Sequence, residues 1–329
     1  MSETSTKRST KDFVFLYLKG MAMGAADVVP GVSGGTIAFI TGIYEELLNT
    51  IKGFNLSVFK TLKEEGLKAT WQKTNATFLV VLFAGIFTSV ISLAKAITFL
   101  LATYPILLWA FFFGLIVASS LIIGRYIKEW NVKTIGMMIA GAAIAFYITI
   151  AAPSQIPEGQ LYIFLAGCIA ICAMILPGIS GSFILLLLGA YATVLGSING
   201  LVDGLKAVDT KLIIDNGLNI GVFMLGCVVG IISFSNFLSW MFKKAYSLTM
   251  ALLTGFMIGS LNKVWPWKET TEFRINSHGE EVPFLQSNVS PSSFESLYGE
   301  PSQLWLAIGL CIFGFLVVFV MEKMASSKQ

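Results

Sequence analysis

The chain has 329 residues, of which 55% are hydrophobic and only 12% are charged, with a formal net charge of +3. One soluble core cannot bury that much apolar side chain, so the composition predicts a polytopic membrane protein. The small charge, carried by lysines in loops between apolar runs, argues against a nucleic-acid partner.

The first half of the chain, residues 1–152, starts with a basic tail. Two apolar runs follow within residues 13–48, separated by a short break that is rich in glycine and hydroxyl side chains. A lysine-rich connection then leads to three longer apolar runs. Each approaches the roughly 20 residues that a membrane span requires, which predicts transmembrane helices at about 76–99, 105–124 and 134–151.

The second half, residues 153–329, repeats this order. Two apolar runs within residues 161–198 flank a second break, and a long polar loop, residues 263–303, precedes the last apolar run. The loop is predicted to be extracellular, and its Trp265-Pro-Trp267 suggests an interfacial anchor. The predicted transmembrane helices of this half lie at about 220–242, 246–261 and 304–321.

The two halves align as an internal repeat. Pro30-Gly-Val-Ser-Gly34 falls on Pro177-Gly-Ile-Ser-Gly181, and Phe113-Gly-Leu-Ile-Val-Ala-Ser119 resembles Thr254-Gly-Phe-Met-Ile-Gly-Ser260. Each half is therefore a broken segment followed by three spanning helices.

Lysine and arginine positions indicate whether a broken segment crosses the membrane or turns back. If both segments turn back, most of these cations fall on the inner side together with both termini. The outer side then holds only Lys206, Lys211, Lys263, Lys268 and Arg274. If each segment crosses once, the bias reverses, so the turn-back topology is favoured.

Three crossings per half is an odd number, so the second half is upside down relative to the first. We therefore predict an all-α polytopic membrane protein of two inverted-topology repeats, each a re-entrant helical hairpin plus three transmembrane helices. Secondary transporters use this design, with interrupted helices meeting near the midplane.

The breaks form the predicted hairpin tips, which we name the first tip (residues 27–36) and the second tip (residues 176–182). Proline and glycine end the first arm of each hairpin. The second arm then starts with amides that have no internal acceptor, and such a helix N-terminus favours an anion. The predicted phosphate-binding residues are Pro30, Gly31, Val32, Ser33, Gly34, Gly35 and Thr36, with Pro177, Gly178, Ile179, Ser180, Gly181 and Ser182.

An alternative interpretation is that the breaks are kinks whose hydroxyls bond back to the chain and whose glycines permit tight helix packing. One break alone favours this alternative, whereas its recurrence in both halves favours the anion site.

Three charged side chains in or beside the apolar segments are candidates for function. Asp27 is the candidate for proton coupling, and its aligned residue in the second half is Met174. The alternative is that its carboxylate accepts backbone N–H bonds and stabilises the turn. Lys95 and Arg125 are candidates for neutralising an anionic headgroup, with interfacial anchoring as the alternative.

The sequence predicts no metal site and no cofactor. The cysteines, Cys168, Cys172, Cys227 and Cys311, lie in apolar segments without a histidine or carboxylate beside them, which favours packing. The one histidine, His278, lies in the polar loop, so histidine-based catalysis within the membrane is excluded.

The stretch Gly24-Ala-Ala-Asp27-Val-Val-Pro30-Gly31-Val32-Ser33-Gly34-Gly35-Thr36 resembles the PopT family, and the second tip looks like that family's repeat. The resemblance extends over residues 19–321. It implies a flippase for polyprenyl phosphate, the undecaprenyl-phosphate carrier of cell-envelope synthesis. It also implies movement from the outer to the inner leaflet of the bacterial cytoplasmic membrane, with the lipid and the bilayer as partners and the residues of both tips at the site.

Two other functions stay open from the residues alone. One is an ion-coupled carrier of a small anion. The other is an integral-membrane polyprenyl-diphosphate phosphatase, but phosphoryl chemistry usually needs a nucleophile or base with cationic or metal clamps. Because no arginine or histidine lies near either tip in the sequence, we predict that the chain is not an enzyme. The sequence does not specify an oligomeric state.

Overall fold

The computed structural model describes residues 8–27, 33–54, 57–151, 159–275 and 281–326. In these ranges the chain is mostly helical, as the composition predicts. The helices of the first half are α1 (Thr10–Asp27), α2 (Gly34–Ile40), α3 (Tyr44–Gly53), α4 (Ser57–Lys73), α5 (Ala76–Thr103), α6 (Pro105–Gly124) and α7 (Val132–Ile150).

The second half adds both helices and strands. Its elements are α8 (Gln160–Ile175), α9 (Gly181–Leu187), α10 (Ala190–Ala207), α11 (Thr210–Lys244), α12 (Tyr246–Ser260), β1 (Lys268–Ile275), β2 (Glu281–Asn288), α13 (Pro291–Tyr298) and α14 (Leu304–Ser326).

The all-α prediction is wrong for the loop before α14. Strands β1 and β2 form an antiparallel hairpin in which Lys268 pairs with Asn288. Two indoles tie this loop to its surroundings: Trp265 Nε1 donates to Val289 O and Trp267 Nε1 donates to Ser302 O, both at 2.9 Å. Trp267 is buried, so this pair packs within the protein. The polar composition of the loop did not indicate these strands, because they are stabilised by hydrogen bonds between their backbone groups.

Fewer helices have span length than the six predicted. Within the described ranges, α5, α6, α7 and α11 are long and apolar enough to cross a membrane, and the bent pair of α9 and α10, with 106° between its axes, would add a fifth. Helix α12 has 15 residues, or about 22 Å at 1.5 Å per residue, against roughly 30 Å of hydrocarbon. The apolar part of α14, Leu304–Val320, is also short.

The short helix α12 is surrounded by protein. Its Ala251, Leu253 and Met257 are fully buried, as is Ile116 on the neighbouring α6. Helix α12 packs mainly on α7 and also on α6. A helix enclosed in this way contacts other helices on most of its surface, so its apolar composition reflects the core as well as the bilayer.

Helix pairing follows the internal repeat. The first hairpin arm packs on the next long helix in each half, α1 on α5 and α8 on α11, while α6 packs on α14 and α12 on α7 across the halves. Glycines permit these close crossings at aligned positions. A Cβ added at Gly114 would overlap the Cys311 carbonyl, and one at Gly255 would overlap the Met138 carbonyl. The repeat in the sequence therefore corresponds to a repeat in the contacts.

The crossing of α6 and α14 can be tested with two glycines of α14. A Cβ at Gly314 would overlap the Phe111 carbonyl, whereas one at Gly309 would meet nothing within 4 Å. We expect Gly314→Ala to destabilise the protein by about 1–3 kcal/mol, because overpacking forces the helices apart. Gly309→Ala should not destabilise the protein and should raise its stability by about 0.5–1 kcal/mol, because alanine is the better helix former. Thermal unfolding of both variants in detergent measures the difference, and equal unfolding midpoints would contradict the proposed crossing.

Candidate functional site

Each predicted tip separates two helices. At the first tip, α1 ends at Asp27 and α2 begins at Gly34, with Ser33 in an extended conformation as its N-cap. Pro30, Gly31 and Val32 lie outside the described residues. At the second tip, α8 ends at Ile175, and Ser180 is the extended N-cap of α9.

Gly178 gives the second tip its turn. Its φ of +83° lies in the left-handed region, which side chains with a Cβ rarely adopt. An added Cβ would also lie 3.0 Å from Phe256 O and 2.9 Å from Ser260 Oγ of α12. Glycine is therefore required here both by conformation and by the close approach of α12.

The two tips are in direct contact. Gly178 N–H donates to Thr36 Oγ1 at 2.9 Å, and Ser33 Oγ donates to Leu176 O at 3.3 Å. Thr36 is fully buried and Ser33 is 2% exposed. The approach is close, since a Cβ at Gly35 would lie 2.7 Å from Ile175 O. The structure thus brings the two predicted sets of residues together.

The first tip is already capped by its own side chains. Asp27 Oδ1 accepts the Gly34 N–H at 2.7 Å, and Ser33 Oγ accepts the Gly35 N–H at 3.1 Å. The prediction of unpaired amides at the start of the second arm is therefore wrong for Gly34 and Gly35. Asp27 makes the backbone contact that the alternative interpretation described, because its carboxylate occupies the anion position of α2.

The second tip has hydroxyls and amides but no carboxylate in that position. Ser180 Oγ and Ser182 Oγ lie 3.0 Å apart, and Phe183 N–H reaches Ser180 Oγ only at 3.5 Å. The amides of Gly181 and Ser182, in the first turn of α9, have no acceptor within that helix. Ser182 is exposed and Ser180 is half-buried. This arrangement offers hydrogen-bond donors to an anion. The residue aligned with Asp27 is Met174, which carries no charge.

Comparison with known proteins places the chain in a family. A family model described as undecaprenyl phosphate translocase-like matches residues 23–282 and so includes both tips. The chain belongs to this family. The polyprenyl-phosphate transporter of Vibrio cholerae serotype O1 is 48% identical over 316 residues, which cover 96% of this chain and 98% of that protein.

A second relative is more distant. The polyprenyl-phosphate transporter of Staphylococcus aureus is 34% identical over 261 residues, or 76% of this chain and 85% of that protein. No solved structure matches the chain. The resemblance noted from the sequence is confirmed, and both relatives of this translocase-like chain are named as transporters and not as enzymes.

Of the two candidate headgroup cations, the structure describes the side chain of Arg125 only. Lys95 belongs to α5, but its side chain lies outside the described residues. Arg125 follows the end of α6, and its guanidinium lies over the Phe319 ring at 5.4 Å from the centroid. Its contact is therefore with α14, which fits an anchoring role at the end of the helix.

Cysteine thiols of α8 and α11 contact the neighbouring helix in this family member. Cys168 Sγ donates to Gly226 O at 3.1 Å, and Cys227 Sγ lies 3.6 Å from Gly167 O. These contacts connect α8 and α11. In the part of the chain that the structure describes, no group of three or more potential metal ligands occurs.

Sequence reasoning did not predict the burial of two lysines. Lys263 and Lys268 belong to the loop that was predicted to be polar and extracellular, but Lys268 is only 9% exposed and Lys263 is half-buried. Both line a cavity of about 230 Å³ beside α9, with Thr149, Asn262 and Asn288. The nearby Trp265 and Trp267 were the available signal, because two indoles in a polar loop indicate a packed segment.

The hydrogen bond between the tips can be tested with two threonines near α2. Thr36→Val keeps the side-chain shape but leaves the buried Gly178 N–H without its acceptor, which should cost about 1–3 kcal/mol. Thr41 is the matched control, because its hydroxyl bonds back to Ile37 O at 2.8 Å and Ile37 O also accepts the Thr41 amide. We expect thermal unfolding to show a larger loss for Thr36→Val than for Thr41→Val. Equal losses of stability in the two variants would contradict a stabilising role of the hydrogen bond between Gly178 and Thr36.

Proposed function

We propose that this chain moves polyprenyl phosphate, such as undecaprenyl phosphate, from the outer to the inner leaflet of the bacterial cytoplasmic membrane. The observation that carries the proposal is the direct contact between the tips through Gly178 N–H and Thr36 Oγ1. It occurs in a chain that shares 48% identity with a protein named as a polyprenyl-phosphate transporter.

We infer two inverted repeats as the transport machinery, with both termini on the cytoplasmic side. The duplicated helix pairing, α1 with α5 and α8 with α11, supports a repeat at the level of packing. The distribution of lysine and arginine supports opposite orientations of the two halves. In such a design the halves rock against each other and expose a central site to alternate sides.

The proposed headgroup path runs past the two tips. Interrupted backbone within the bilayer is tolerated only where protein, water or ligand satisfies its polar groups. The second tip supplies the hydroxyls of Ser180 and Ser182 and the first amides of α9. The phosphate reaches these donors while its polyprenyl chain stays in the lipid. The proposed contact residues with described positions are Ser33, Gly34, Gly35, Thr36, Pro177, Gly178, Ile179, Ser180, Gly181 and Ser182.

Asp27 is the proposed point of proton coupling. A phosphate at the first tip competes with the Asp27 carboxylate for the Gly34 N–H, and two anions at one helix terminus repel each other. Protonation of Asp27 removes the charge that strengthens its bond to Gly34. The amide then becomes available to the lipid phosphate, so headgroup passage and proton uptake are linked.

The second tip is tested by the double variant Ser180→Ala/Ser182→Ala in liposomes with asymmetrically placed undecaprenyl phosphate. We expect at least a tenfold slower transbilayer movement, about 1.4 kcal/mol in the barrier, because two donors to the phosphate are lost. Ser92→Ala is the control, since Ser92 is exposed on α5 and bonds back to Thr88 O at 2.6 Å. If wild-type protein moves the lipid no faster than empty liposomes, the proposed function fails.

The proton coupling is tested by Asp27→Asn in the same liposomes. The amide oxygen of asparagine can still accept the Gly34 N–H, so the fold of the tip is preserved while titration is lost. We expect the wild-type rate to rise as the pH falls and the Asp27→Asn rate to rise less steeply, since the lipid phosphate, with a second pKa of about 6, still titrates in both. Within the described ranges, Gly34 is the one hydrogen-bond partner of this carboxylate. An equally steep pH dependence in Asp27→Asn would remove Asp27 from the coupling and leave transport itself intact.

A further inference from the structure

Lys268 is buried without a countercharge. It starts β1, is 9% exposed, and in the described part of the chain no carboxylate lies within ion-pair distance of its ammonium. The ammonium donates to Lys263 O at 2.7 Å and lies 3.8 Å from the centroid of the Trp109 ring. Lysine is rarely buried to this extent unless it is paired, because a buried charge loses its hydration. Such a residue requires an explanation.

A second lysine lines the same cavity. Lys263 Nζ lies 4.1 Å from the centroid of the Phe183 ring on α9, and it likewise has no carboxylate partner among the described residues. Burial lowers the pKa of both lysines, and the nearby charge of Lys263 lowers that of Lys268 further. Two positive charges in one cavity raise the cost of keeping either protonated. An anion between them would offset that cost.

We name this space the lysine cavity. Besides the two ammonium groups, its lining includes polar groups that are held in place. Asn262 Nδ2 donates to Thr149 Oγ1 at 2.7 Å, and Asn288 Nδ2 donates to Asn262 O at 2.7 Å. The volume of about 230 Å³ is below the roughly 300–1,000 Å³ of common ligand pockets. The space suits a compact headgroup and not an entire lipid.

The wall formed by α9 connects the lysine cavity to the second tip. Phe183, which lines the cavity, directly follows Ser182 in the chain, and Leu186 and Leu187 continue the wall. The remainder of the lining is thus partly apolar. A polyprenyl phosphate has both of the required parts, a phosphate for the lysines and a hydrocarbon chain for the leucines.

A second cavity of about 310 Å³ combines elements from both halves of the chain. It lies between α2, the end of α6, the start of α12 and the end of α14, and Glu45 and Glu322 contribute carboxylates to its lining. Lys128 contacts its Tyr246 from outside, with Nζ at 5.4 Å from the ring centroid. The charged side chains in its lining are carboxylates, which repel an anion. The two lysines in its lining distinguish the lysine cavity from this second space.

We infer that the lysine cavity captures the phosphate group of the substrate lipid through Lys263 and Lys268 before the headgroup reaches the second tip. Lysine binds phosphate as a point charge with rotatable donors, which suits a site that must also release its ligand. This inference rests on the proposed function for the identity of the lipid. The shared chemistry, a phosphate anion, is also that of free inorganic phosphate.

Binding is tested on the purified full-length protein in detergent, with farnesyl phosphate, inorganic phosphate and farnesol as probes. The shift of the thermal unfolding midpoint reports binding. We expect farnesyl phosphate to stabilise the wild type, and Lys268→Met and Lys263→Met each to weaken its apparent affinity at least tenfold. Lys211→Met is the matched control, because Lys211 is an exposed lysine at the start of α11, and its affinity should stay within twofold of the wild type.

Four outcomes decide the inference. Unchanged affinity for farnesyl phosphate in both lysine variants would overturn it, as would equally tight binding of farnesol, since the chain alone would then account for binding. If the wild type binds inorganic phosphate as tightly as farnesyl phosphate and the lysine variants lose both, the phosphate site is supported and the free anion is its ligand. If the variants lose binding of farnesyl phosphate only, the lipid headgroup is supported as the ligand.

Stability separates a binding role from a structural one. Removing a buried unpaired charge should leave the unliganded unfolding midpoint of Lys268→Met at or above that of the wild type. If Lys268→Met does not fold, Lys263→Met alone carries the affinity comparison. In liposomes, a lysine variant that loses binding but moves undecaprenyl phosphate at the wild-type rate would overturn the capture role. Absence of transport by the wild type would instead contradict the proposed function, whatever the binding result.

Discussion

The pairing of the two tips is the constraint on which the rest of the structure depends. A helix interrupted within apolar surroundings leaves amide and carbonyl groups that must find partners. Here the tips satisfy each other, through Gly178 N–H to Thr36 Oγ1 and Ser33 Oγ to Leu176 O. Such contacts require the backbones to approach closely, so Gly35 lies against the Ile175 carbonyl without room for a side chain. The duplicated pairing of α1 with α5 and α8 with α11 holds both hairpins in the positions from which their tips can meet.

The tips are alike in backbone and unlike in charge. At the first tip, the Asp27 carboxylate takes the place that an anionic ligand would occupy, while Met174 stands at the aligned position of the second. Lys263 and Lys268 lie next to the second tip, beyond Phe183. Positive charge and hydrogen-bond donors are thus found near the second tip, and the capping carboxylate belongs to the first. A repeat that is symmetric in packing can in this way treat an anion differently at its two ends.

Some elements could be predicted closely and others could not. Helix α6 begins at Pro105 and ends at Gly124, as predicted, because proline favours the first turn of a helix and a long apolar run follows it. The loop before α14 was misjudged, since the polar residues of β1 and β2 follow no simple alternation. Lys268 is buried by Trp109 of α6, which is remote in the sequence. Local composition therefore indicated a polar loop, whereas long-range packing formed a cavity there.

The sequence by itself determined the membrane class, the repeat and the positions of the two breaks, because hydrophobic content, proline and glycine act locally. It left open whether the breaks were ligand sites or capped turns. Only the tertiary structure decided which amides at the tips have hydrogen-bond acceptors. Asp27 accepts the amide of Gly34 within the same hairpin, and Thr36 accepts the amide of Gly178, a residue 142 positions away. Those pairings depend on distances between segments that are far apart in the chain, and no local pattern of residue types contains that information.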